Sequence, residues 1–96
     1  MGMHARVMRV ELGDVDRGIS FVRDQIVPSA RQQPGIVAAY WLADRASGRG
    51  LAVTIWESED AMLAGDAAAK EAARTEKQDG AVETAALELY EVVAHL

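Results

Sequence analysis

A mixed α+β fold of β-α-β-β-α-β order is predicted by three observations. A period-2 apolar pattern at residues 5–12 and another at 85–94 bracket the chain. Between them, residues 34–57 (PGIVAAYWLADRASGRGLAVTIWE) read as two strands joined by a tight turn. An apolar stripe of helical period occupies 15–33, and a capped, alanine-rich and charged helix is read over 59–79. The totals agree with one domain of 96 residues (1–96), half apolar and 26% charged. A formal charge of −5 without any basic run argues against nucleic acid or an anionic membrane as partner. The chain has no cysteine, which removes disulfides, thiolate metal sites and thiol nucleophiles from consideration and suits a cytoplasmic location. The apolar run Ile36–Ala43 is far short of the roughly 20 residues of a membrane helix. MGMHARV has neither a charged leader nor an apolar core behind it, so no signal peptide is expected.

In residues 5–12, Met8, Val10 and Leu12 share one face, and Val7, Arg9 and Glu11 the other. Gly13-Asp14 breaks the strand, and Asp14 or Asp16 is placed to cap a helix. Val15, Ile19, Val22, Ile26 and Ala30 then form one helical stripe. Pro28 falls inside that stripe and predicts a kink, because it removes a backbone donor, and Pro34-Gly35 ends the helix.

Asp44 and Arg49 bracket Arg45-Ala46-Ser47-Gly48, which fits a four-residue loop with Gly48 left-handed. That pairing sets Leu42 opposite Leu51, Tyr40 opposite Val53 and Ala38 opposite Ile55. The two resulting faces are both apolar. One is aliphatic with Tyr40; the other combines small residues with Trp41 and Trp56. A strand pair wetted on one side should alternate apolar and polar, and this one does not.

Ser58, followed by Glu59 and Asp60, is a helix start. The helix it opens has Met62 and Leu63 as its large apolar residues, a predicted break or bend at Gly65, and a close at Gly80. Its alanines 68, 69, 72 and 73 are expected to face the sheet. Such a face either packs closely or leaves room for a flat ligand. The order is the split, ferredoxin-like arrangement, with an antiparallel sheet and right-handed crossovers that place both helices on one side. The bare side then predicts a homodimer, sheet against sheet. The aliphatic face is assigned to the helices and the tryptophan face to the partner subunit, leaving Tyr40 as the leading ligand contact.

Several segments resemble the antibiotic biosynthesis monooxygenase-like group of dimeric α/β barrels. They are Val27-Pro28 late in the first helix, Arg31, Pro34-Gly35, Tyr40-Trp41-Leu42, the turn 44–48, the run 53–59 and Tyr90-Glu91-Val92. The resemblance implies a dimeric barrel and a place among cofactor-independent monooxygenases acting on hydrophobic aromatic, polyketide-like metabolites. Such an oxidoreductase would use no cofactor and no metal. Tyr40, Trp56 and Trp41 are the candidate ligand-binding residues, and no catalytic residue is assigned. A non-catalytic ligand-binding or stress-associated module of the same fold is the alternative. Haem-degrading members would place a second tryptophan at Gly65, a histidine near Thr75 and an asparagine on the first strand. The chain contains no asparagine and no histidine between residues 59 and 79, so haem breakdown is disfavoured. His4 and His95 are read as surface residues.

Overall fold

A computed structural model describes residues 2–75 and 83–96. The elements are β1 (His4–Glu11), α1 (Val15–Phe21), a π-helical turn (Val22–Ile26), α2 (Val27–Arg31), β2 (Ile36–Asp44), β3 (Arg49–Trp56), α3 (Glu59–Thr75) and β4 (Glu83–Glu91). The strands form one antiparallel sheet in the order β2-β3-β1-β4. This is the ferredoxin-like arrangement that the element order predicts.

Local chemistry explains most boundaries. The Asp14 carboxylate accepts the Arg17 amide at 3.2 Å and caps α1. Ser58 does the same for α3, its hydroxyl accepting the Ala61 amide at 3.1 Å. At the hairpin the predicted register holds: Asp44 pairs with Arg49, Leu42 with Leu51 and Tyr40 with Val53. Asp44 accepts the Ala46 amide at 3.1 Å and the Ser47 hydroxyl at 2.9 Å, and these bonds hold its carboxyl below the usual range. Gly48 closes the turn at φ +77°, a region that a side chain disfavours.

The predicted kink at Pro28 takes a definite form. Without an N–H, Pro28 cannot complete the α-helical ladder. The preceding turn widens, and the Val27 amide bonds to the Val22 carbonyl five residues back. The second helix departs from expectation, because α3 runs unbroken through Gly65. The expected close at Gly80 lies outside the described residues.

Both helical segments pack on one face of the sheet. Val10 and Leu12 are buried there against Met8, Val15 and Phe21. Trp56 lies on the same face, 3% exposed, with its ring directly against Gly65 of α3. Its indole N–H donates to the Thr54 hydroxyl at 2.9 Å. The register places Trp41, Ala52 and Met8 side by side on this face. The face assignment from sequence is therefore inverted: the tryptophans belong under the helices, and the aliphatic set lies on the helix-free side. Tyr40 (62% exposed) and Leu42 (53%) stand on that bare face. The reason is volume. Gly65 carries no side chain, which leaves room for the Trp56 ring to lie against the backbone of α3 beside the buried Met62.

Candidate functional site

Two adjoining cavities lie between the helices and the sheet, sharing Met8, Ile26, Trp41 and Ala52 as walls. The larger, about 510 Å³, runs under α1 and the π turn. Ile19, Val22 and Ile26 form its roof, and Ala39, Trp41 and Ala43 its floor. The smaller, about 330 Å³, lies between the α1–α2 segment and α3. Phe21, Trp41, Trp56 and Leu87 supply apolar walls, and Ala68 and Ala69 of α3 border it. Polar groups converge there as well: Arg6, Gln25, Ser29, Gln33, Thr54 and Lys70. Both volumes fall in the range of small-molecule pockets.

Each polar group is positioned by the fold. Arg6 projects from β1 on the face of Met8 and Val10, and its side chain is 11% exposed. Its Nε donates to Asp66 of α3 at 2.8 Å, and Nη2 reaches the Met8 sulfur at 3.9 Å. Asp66 also receives Lys70, one helical turn on, at 3.0 Å. Burial pushes the Asp66 carboxyl up, but the bonds from Arg6 and Lys70 outweigh it and hold the group below its ordinary value. Thr54 accepts the Trp56 indole proton and donates to the Arg6 carbonyl at 3.4 Å, so its own proton is committed to the backbone. Gln25 belongs to the π turn and Gln33 follows α2, so the widened turn helps carry an amide to the cavity.

Of the residues singled out in the sequence, Trp41 lines both cavities and Trp56 the smaller one. Tyr40 borders the larger cavity from the edge strand β2, while its side chain stands opposite Val53 on the helix-free face. The Arg6–Asp66–Lys70 cluster escaped the sequence reading. Its signal was present: Arg6 is a charged residue in phase with Met8, Val10 and Leu12, and such a residue needs a partner. Among the described residues, neither cavity is lined by a histidine, cysteine, aspartate or glutamate. The His4 ring pairs with the Gly2 carbonyl at 3.1 Å and lies outside both walls. Haem iron would find no imidazole or thiolate among these described walls.

The sheet order, the helix placement and the cavity between them define the ferredoxin-like α+β fold of the antibiotic biosynthesis monooxygenase-like proteins. The cofactor-independent oxygenase SnoaB of Streptomyces nogalater superposes with a TM-score of 0.71 at 19% identity, covering 100% of this chain and 98% of that one. The haem degrader MhuD of Mycobacterium tuberculosis, solved with two haems in its active site, gives 0.68 at 21% identity over 97% and 98%. A candidate antibiotic biosynthesis monooxygenase of Chloroflexus aurantiacus gives 0.69 at 14% over 98% and 96%. In sequence, 50 residues (52% of the chain) are 44% identical to the uncharacterised protein Rv2558 and 40% identical to Rv2557, both of Mycobacterium tuberculosis. The matched stretch is 21% and 22% of those proteins, so the chain spans about a fifth of their length. No family model matches the chain.

Proposed function

We propose that the chain is a cytoplasmic, homodimeric, cofactor-independent monooxygenase acting on a hydrophobic aromatic metabolite. The observation that carries this reading is the roughly 330 Å³ cavity between α3 and the sheet, apolar on its walls and furnished with polar donors. An electron-rich phenolate reacts with oxygen by its own chemistry. The protein then has to exclude water, orient the ring and stabilise the anion. Trp41 and Trp56 supply flat apolar surface, while Arg6, Gln25 and Gln33 supply N–H donors. The helix-free face supports the dimer, because Tyr40, Leu42 and Tyr90 are exposed on it beside Leu51 and Val53. Among the described residues, no helix is long and apolar enough to cross a membrane.

A non-catalytic dimeric ligand-binding module is the second reading. It is favoured by the lack, among the described lining residues, of a carboxylate or imidazole to take the phenol proton. A thermal-shift screen of hydroxylated polycyclic aromatics, followed by oxygen-electrode measurement on the hits, separates the two. Oxygen uptake that requires protein and scales with its concentration is expected of the enzyme. Saturable binding without uptake overturns the oxygenase reading in favour of the module.

A further inference from the structure

The chain carries 15 acidic and 10 basic residues, yet the described walls of the two cavities reverse that balance. They include Arg6 and Lys70 in the smaller cavity and Arg23 and Arg45 in the larger, and no carboxylate. Arg45 is tied to Asp16 on the surface at 3.0 Å. Arg6 and Lys70 share the single carboxylate of Asp66, at 2.8 and 3.0 Å, which leaves one net positive charge at the cavity wall. Arg6 is the more telling member, because its side chain is only 11% exposed. Asp66 occupies its Nε edge, and among the described residues the remaining guanidinium N–H groups meet no oxygen acceptor. A guanidinium in so dry a place binds a planar oxyanion through paired N–H bonds.

We propose that the cavity selects an aromatic carboxylate: fused rings against Trp41 and Trp56, and the acid group on Arg6 with Lys70 behind it. This rests on the reading of the cavity as a small-molecule site and names the class of molecule it takes. Asp66 is then a positioning residue that holds the guanidinium edge-on to the ligand.

The test compares 2-naphthoate and anthracene-2-carboxylate with their neutral primary amides, by calorimetry and by quenching of tryptophan fluorescence at pH 7 in low salt. The acid is expected to bind at least about tenfold more tightly than its amide, the worth of one charge-assisted bond. That preference should shrink as salt rises. Lys70→Gln leaves the Arg6–Asp66 bond intact and should lower acid affinity several-fold while leaving the amide unchanged. Arg6→Lys keeps the charge but loses the planar fork, and should weaken the acid further. Equal binding of acid and amide overturns the anion assignment while leaving the oxygenase reading open. Binding of neither overturns the cavity reading and this assignment together. Acid-selective binding without oxygen uptake supports the assignment and overturns only the oxygenase.

Discussion

Gly65 occupies the position at which a side chain would enter the Trp56 ring. A Cβ built there overlaps the far edge of the indole and comes within 2.6 and 2.8 Å of two further ring carbons. The ring cannot retreat, since Trp56 is 3% exposed and its N–H is held by Thr54. In an exposed helix Gly→Ala would gain about 1 kcal/mol from propensity. Here overpacking, about 1–3 kcal/mol or more, opposes that gain and wins. Gly65→Ala is therefore expected to lower Tm by several degrees, about 4–8 °C per kcal/mol for a domain of this size. It should also shift Trp56 fluorescence toward that of a wetter indole. A Tm equal to or above the wild-type value in a thermal melt would show that the ring is not wedged against the helix. The same glycine explains why the sequence misled about the tryptophans. Where the buried side of α3 lacks a side chain at Gly65, a large residue of the sheet fills the gap, and Trp56 is that residue.

The segment from Val15 to Arg31 shows what a helical stripe conceals. Its apolar period is legible in the sequence and so is the disturbance at Pro28, but the π turn is not, because periodicity does not say how a helix absorbs a missing donor. The widened turn places Val22 and Ile26 over the larger cavity and Gln25 beside the smaller. Pro28→Ala restores an N–H that can bond to the Asp24 carbonyl and lets α-helical register continue. Its stability should change by less than about 1 kcal/mol, because a lost proline constraint and a regained hydrogen bond offset each other. Ligand affinity should nevertheless fall by about tenfold as Ile26 and Gln25 turn away from the cavity. Calorimetry beside a thermal melt checks both halves. Unchanged affinity would mean that packing against β2, rather than the proline, holds the wide turn.

At the scale of the whole molecule, strand order, hairpin register and helix placement all follow from period, caps and turn chemistry. Which side of the sheet is inside does not. Both faces of β2 and β3 are apolar, so alternation fixes the two sets of side chains without saying which set the helices cover. The Arg6–Asp66 contact was similarly hidden, since it joins residues sixty apart in sequence. The helix-free face now has a definite composition: Tyr40 and Leu42 on β2, Leu51, Val53 and Ile55 on β3, Val7 on β1 and Tyr90 on β4. Glu88 accepts the Tyr90 hydroxyl at 2.8 Å, and that bond raises the phenol above its ordinary value, while Arg9 and Glu88 put a charged pair at 3.6 Å beside it on this face. Val53 lies in the inner strand β3, away from the sheet edge, where a charge could not reach water across a sheet-on-sheet interface. Val53→Arg is therefore expected to convert the proposed dimer to monomer in sedimentation velocity, with the fold retained by circular dichroism. Trp41→Arg makes the contrasting variant. It alters the wall of both cavities and should abolish aromatic ligand binding while leaving the sedimentation coefficient of the dimer unchanged. If Trp41→Arg dissociated the protein and Val53→Arg did not, the tryptophan face would be the one that meets the partner.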